Sequence, residues 1–288
     1  MKMNLTPEAQ LETMILERIT TIKTQYPCWP KPEMLCKELG IRVVYGNIGL
    51  ECEGAAFADA IQLDPTAGVP ARRRFTFYHE IVHHLLRNHG ELFSIINDQY
   101  ESDELLTNIS EHLCNVGAAE FLLPRDTVHA LYQEEGFSVA LIASLSHPEL
   151  VSRVAACAQL TFCAPHSCIA IVCRKETITP SSQSHRQQLS TTATVHDRVR
   201  IDVSFRSNTM KYSCASGTVI PGSHLVTRMF EAAHGEHIRG KETIPFKSGK
   251  TWEVECEAIR LGEQVFAFFH SDSPPISVRN QLRFSFEY

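Results

Sequence analysis

"RRRFTFYHEIVHHLLRNHG", residues 72–90, decides how this chain is read. Phe75, Tyr78, Ile81, Val82, Leu85 and Leu86 recur at helical spacing and would cover one side of a buried helix, yet the same stretch carries four histidines and a glutamate. His79 and His83 stand one turn apart, so both imidazoles leave one face, at the border of the apolar side, and can hold a single cation. Glu80 lies about 100° round the helix, within reach of a water on that cation. A zinc ion held by two neutral histidines and a carboxylate keeps a fourth position open, where the pKa of water falls from about 15.7 to about 7. The adjacent glutamate can take the water's proton and pass it to a leaving amine, so peptide-bond hydrolysis is the chemistry expected. His84 and His89 do not share that face and are read as surface or packing residues.

The third ligand is expected on a second long helical stretch, about Glu101 to Leu123, which Pro124 ends. Its candidates are Glu101, Asp103, Glu104, Glu111 and Glu120. Helical periodicity groups Leu105, Leu106, Ile109, Leu113, Val116, Glu120 and Leu123 on one side and so points to Glu120 as the buried carboxylate, while Glu111 falls opposite, near Asn115 and Ala118. A central helix is buried on both sides, and periodicity leaves the choice open.

Length and composition bound the rest. A chain of 288 residues suits two or three domains, and with 43% hydrophobic residues each can bury a core. A net charge of −6 argues against holding nucleic acid by overall electrostatics. No stretch reaches the roughly 18 uninterrupted apolar residues of a membrane span. The opening MKMNLTPEAQLETM has polar and charged residues where a signal peptide needs an apolar run, so a cytoplasmic protein is expected. None of the ten cysteines forms a CxxC pair, and most are expected to be reduced thiols acting as small core hydrophobes.

Along the chain, helices are expected from Pro7 to about Thr24, over Glu33–Leu39 up to Gly40, and over about Ala71–Asn88, with a loop between this last one and the second long helix. Extended runs at Ile41–Tyr45, Ala55–Ala58 and Ile61–Leu63 read as a small sheet. Residues 124–162 read as short helices with the rhythm of a helix-turn-helix bundle. After Cys168 the texture turns to strands at Ile169–Cys173, Val199–Phe205, Trp252–Ile259 and Val265–Phe269. One helix is expected near His224–Ala233, and residues 176–194 read as a Ser/Thr/Gln-rich loop. No internal repeat is present.

"RFTFYHEIVHHLL" (74–86) followed by "EHLCNVGAAEFLLP" (111–124) resembles the paired helices of the ImmA/IrrE family of regulatory zinc peptidases. "NDQYESDELL" (97–106), "KYSCASGTVIP" (211–221) and "IPFKSGKTW" (244–252) are similar in order and spacing, so the resemblance covers nearly the whole chain. It implies Glu111 as the third ligand beside His79 and His83, and Glu80 as general base, a gluzincin-like arrangement. It implies an α+β protein in three parts: a zincin-like metallopeptidase domain at 1–123, a helix-turn-helix-like domain at 124–165 and a GAF-like α/β sensor domain at 166–288. The sensor domain would take a small-molecule signal. The implied role is cleavage of an XRE-type helix-turn-helix repressor after DNA damage, radiation or oxidative stress, releasing repair genes. In "SHPELVSRVAAC" (146–157) Pro148 interrupts the pattern and basic residues are scarce, so direct DNA binding by this segment is not expected.

Two histidines and a carboxylate do not select zinc by ligand type alone, so Mn²⁺ is an alternative. Arg72, Arg73 and Arg74 oppose the macrodipole at a helix start and should find local carboxylates or solvent. Cys114 is a candidate redox-sensitive thiol beside the metal, or a buried small hydrophobe. Tyr100 is a candidate donor to the oxyanion of the tetrahedral intermediate, or a packing residue. Cys157, Cys163, Cys168 and Cys173 lack zinc-finger spacing. The run "GAAFADAIQLD" (54–64) is a candidate strand for pairing with an extended substrate. The competing function is a non-catalytic stress-sensing regulator that binds protein or DNA around a structural metal, in which Glu80 would have no task as a base.

Overall fold

The computed structural model describes residues 7–49, 53–100, 102–178 and 196–270. Glu101 and most of the expected 176–194 loop lie outside them. The chain forms two compact units, residues 1–127 with 146–155, and residues 128–145 with 156–288. The architecture mixes helices and sheets, as an α+β chain should. None of the described helices is long and apolar enough to cross a membrane.

In the first unit, helix α1 (Pro7–Gln25) buries Leu11, Ile15, Ile19 and Ile22, the one-turn spacing of a single apolar stripe. Helix α2 (Pro32–Glu38) leads into a three-stranded sheet of β1 (Arg42–Tyr45), β2 (Gly54–Ala56) and β3 (Ala60–Leu63). The order is β1-β3-β2, with β1 parallel and β2 antiparallel to β3. The run 54–64 is therefore a hairpin: β3 is central, only β2 is an edge, and Ala58 sits in the turn.

Helix α3 (Pro70–Arg87) starts with proline at its first turn, where no backbone N–H is needed. It buries Phe77, Tyr78, Ile81, Val82, Leu85 and Leu86. Its three leading arginines each find an acceptor. Arg72 Nε reaches Glu53 Oε1 at 2.6 Å, Arg73 donates to the Gly68 carbonyl at 2.7 Å, and Arg74 donates to the Pro30 carbonyl.

The stretch expected as a loop is helix α4 (Gly90–Gln99), capped by His89, whose Nδ1 accepts from Leu92 N at 3.1 Å. It was hidden because Gly90 reads as a stop and histidine is an unusual cap, while Leu92 and Ile96 supply the buried face. Helix α5 (Asp103–Leu122) is capped by Ser102 and buried on more than one side. A Cβ on Gly117 would lie 2.8 Å from Val82 Cγ2 and 2.9 Å from Ile19 Cδ1, so glycine there lets α1, α3 and α5 approach closely.

The helices expected over 124–162 are α6 (Arg125–Glu135), α7 (Leu141–Leu145) and α8 (Arg153–Phe162). Residues 146–155 between and into them belong to the first unit, and His147 bridges Val151 there, so Pro148 opens a turn rather than a helix.

The second unit is built on a six-stranded antiparallel sheet, β4 (Cys168–Ile178), β5 (His196–Arg206), β6 (Val219–Ile220), β7 (His237–Thr243), β8 (Glu253–Leu261) and β9 (Gln264–His270), in the order β6-β5-β4-β9-β8-β7. One face packs Ile169, Ile171, Val265 and Phe269 against Leu225, Val226, Met229 and Phe230 of helix α9 (Leu225–Arg228) and the 3-10 turn that follows it. On the other, Phe137 stacks on Phe268 at 5.0 Å and Glu257 accepts the Val139 N–H at 2.8 Å. Burial on both faces explains the unbroken apolar run of β4.

Candidate metal centre

α3 and α5 lie side by side and bring His79, Glu80, His83, Glu111 and Cys114 to one place. His79 Nε2 and His83 Nε2 are 3.1 Å apart. Glu111 straddles the pair, Oε2 at 3.2 Å from His79 Nε2 and Oε1 at 3.2 Å from His83 Nε2. One turn beyond Glu111, Asn115 Oδ1 lies 3.1 Å from His79 Nδ1. With that carbonyl oxygen facing it, Nδ1 carries the proton and Nε2 presents a lone pair towards the other two acceptors.

Lone pairs at such distances repel unless something positive sits between them. The edges of a tetrahedron with bonds of about 2.0–2.1 Å, the usual zinc–nitrogen and zinc–oxygen lengths, are about 3.3–3.4 Å. The donor set thus fits a divalent cation by chemistry and by size.

Burial is the main cause that lowers the pKa of both His79 and His83, which favours the neutral imidazole that binds metal. Burial, and then the Glu111 charge, push the Glu80 carboxyl up to about 7, opposed by Arg87 and the Ala56 backbone. Strand β2 passes directly over Glu80. A Cβ on Gly54 would lie 2.9 Å from Glu80 Oε1 and 2.7 Å from Thr76 Cγ2.

His79, His83 and Cys114 also form a group whose donor atoms lie within 4.8 Å of one another. Cys114 is fully buried, and burial, then the Glu111 and Glu80 charges, lift its thiol well above the usual range. A thiol so placed is unreactive by itself. Glu111 is half exposed and lies 3.2 Å from each imidazole.

Glu120, the carboxylate that periodicity favoured, is buried but engaged elsewhere. Its Oε1 pairs with Lys23 Nζ at 3.0 Å and its Oε2 accepts the Arg125 N–H at 3.1 Å. Asp103 and Glu104 lie exposed in the first turn of α5, where acidic groups suit the helix dipole. Tyr100 caps α4 and packs partly buried against the core of the unit, with Glu8 the charge that reaches its phenol. Among the described residues it makes no hydrogen bond with the cluster. Sequence reasoning gave no role to Arg87 or Asn115. For Asn115 the signal was its i+4 spacing from Glu111.

A family model, the IrrE N-terminal-like domain of peptidase family M78, matches residues 36–161, a span that contains the whole cluster. Those residues are similar to a peptidase M78 domain. The chain is 32% identical over 193 residues to the radiation response metalloprotease IrrE of Deinococcus radiodurans, covering 67% of this chain and 57% of that one. It is 28% identical over 200 residues to the protein of the same description from Deinococcus deserti, covering 69% and 67%. It therefore spans a little over half the length of the first relative. In fold, the chain is similar to a Mycobacterium tuberculosis transcriptional regulator, with a TM-score of 0.51 at 16% identity over 91% of this chain and 88% of that one.

Proposed function

We propose that the chain is a cytoplasmic, zinc-dependent, site-specific regulatory endopeptidase. Its substrate would be an XRE-family repressor, cut after DNA damage, radiation or oxidative stress so that repair genes are expressed. The observation that carries this reading is the convergence of the His79, His83 and Glu111 donor atoms at 3.1–3.2 Å with the buried Glu80 carboxylate beside them.

In this reading His79, His83 and Glu111 hold the ion, zinc or alternatively Mn²⁺. When bound, the ion supplies Lewis acidity, lowering the pKa of water towards about 7. Glu80 accepts the water's proton as the water oxygen bonds to the scissile carbonyl carbon. As the carbon–nitrogen bond breaks, Glu80 returns that proton to the departing amine, and a carboxylate and an amine result. Asn115 keeps His79 in the ligating tautomer. Tyr100 is retained as a candidate oxyanion donor, which would require it to swing from its seat at the end of α4. Cys114 is retained as a candidate redox-sensitive position whose modification would require opening of the core.

The functional parts proposed are the peptidase region 1–123, the helix-turn-helix-like region 124–165 that would dock the folded repressor, and a GAF-like sensor region 166–288 that would take a small-molecule signal. Substrate would pair with the edge strand β2, which supplies main-chain groups but no selectivity. The test is to incubate the full chain with an XRE-type repressor from the same genome, with and without zinc, and identify products by mass spectrometry. One defined cut that appears only with metal is expected. An intact repressor in both samples would refute the proposal.

A further inference from the structure

A second stripe of α3, separate from the histidine pair, grips strand β2. Its members are Thr76, Glu80, His84 and Arg87, spaced by four, four and three residues, which keeps them on one face. Thr76 Oγ1 bonds Glu53 Oε2 at 3.2 Å, just ahead of the strand. Gly54 rests against Thr76 and Glu80. Arg87 Nη1 donates to the Ala56 carbonyl at 2.7 Å. Asn88 Nδ2 lies 2.9 Å from His84 Nε2, and the Phe57 backbone opposes the lowering of the His84 pKa by burial.

The hydrogen-bond pattern says which groups of β2 face away from β3. Phe57 N donates to Ala60 O and Asp64 N donates to Glu53 O. In an antiparallel ladder alternate residues point to opposite sides, so Gly54 and Ala56 turn their N–H and C=O groups away from β3. On this outer side α3 already engages Ala56, whose carbonyl accepts from Arg87, which leaves Gly54 as the residue an incoming strand would meet. A strand of three residues held by one neighbour is weak on its own. Arg87 meets it with a charged donor, and among the described residues no carboxylate forms an ion pair with Arg87. A cation two turns beyond Glu80 is thus committed to a main-chain oxygen of the edge strand.

We propose that Arg87 is a positioning residue that holds β2 through the Ala56 carbonyl, so that the outward groups of Gly54 are set in register for the substrate backbone. This rests on the peptidase reading. Arg87 touches neither the ion nor the scissile bond; its hydrogen bond acts on the strand, and its charge also reaches Glu80, which Arg87→Lys preserves.

The experiment uses the zinc-loaded full chain and the variants Arg87→Met and Arg87→Lys. Hydrogen exchange at the amides of residues 54–57 should quicken about tenfold in Arg87→Met, the scale of one lost charge-assisted hydrogen bond, and return largely to wild type in Arg87→Lys. Against the repressor, KM should rise about five- to tenfold in Arg87→Met and return towards wild type in Arg87→Lys, with bound zinc unchanged, because substrate binding is what the strand supplies. Unchanged exchange at 54–57, or a fall in kcat with unchanged KM, would overturn the proposal. If the wild-type chain cuts no repressor, the peptidase reading fails, and the exchange result alone then decides whether Arg87 holds the strand.

Discussion

His224 in the second unit and His79 in the first are both half of a close polar arrangement, and they differ in one respect. His224 is buried, with Nδ1 accepting the Val226 N–H at 3.1 Å and Nε2 facing the Thr243 carbonyl at 2.9 Å, so each nitrogen meets a group of opposite character. His79 has such a partner only at Nδ1, in Asn115, while its Nε2 faces a second imidazole nitrogen and a carboxylate oxygen. The first arrangement is complete by itself and caps helix α9. The second gathers donor atoms that suit a cation. A fold can bury polar groups anywhere at little cost if it pairs them. What marks a site is the convergence of like groups.

The largest expected effect separates the ion from the chemistry done beside it. Glu80→Gln should keep bound zinc and lower the cleavage rate by roughly two to four orders of magnitude, since the water would lack a neighbouring base. Rates and zinc content of the purified variant decide this. Cleavage near the wild-type rate would place the base elsewhere.

The two carboxylates of α5 sharpen the contrast further. Glu111→Ala should lose zinc with little loss of fold, because its side chain is half exposed. Glu120→Ala should keep zinc but lose about 3 kcal/mol of stability, because Lys23 would be left without its partner in a mostly buried pair. Metal analysis and denaturant unfolding of both would contradict the assignment if the outcomes were exchanged.

In the second unit the cost of burying imidazole should appear as acid sensitivity. His270 is pushed down to about 4 by burial, then by His166 and Arg239. Between the unfolded value of about 6.5 and about 4 the unfolded chain binds a proton that the folded unit does not, so stability is full above that window and falls as pH drops through it, by about 3 kcal/mol in total. In urea titrations from pH 7 to pH 4, His270→Phe should flatten this fall. An unchanged slope would remove His270 as its source.

The smallest effect tests the tautomer. Asn115→Ala should weaken zinc binding about 10- to 100-fold, the range for loss of an outer partner of a ligating histidine, with cleavage restored at high zinc. Unaltered affinity would make Asn115 an incidental neighbour.

Much of the first unit was legible because its determinants are local. The apolar stripe of α1, the proline start of α3 and the HExxH spacing need no tertiary knowledge. The third ligand was not legible from periodicity, because α5 is buried on more than one side and Glu120 satisfies itself with Lys23 across the unit. Helix α4 escaped because a histidine caps it. Strands β6 and β7 escaped because one is two residues long and the other is a largely exposed edge, so neither shows the alternation that signals a strand. The short helices after Pro124 were recognised, but their division between two compact units depends on packing that no local pattern carries.

The central claim is a zinc ion bound by His79, His83 and Glu111, and its most direct test is X-ray absorption at the zinc edge of the loaded full chain. The account predicts a shell of nitrogen and oxygen scatterers at about 2.0–2.2 Å that loses occupancy in Glu111→Ala and is unaffected in Cys114→Ala. A sulfur scatterer at about 2.3 Å that disappears in Cys114→Ala would contradict it and make Cys114 the third ligand.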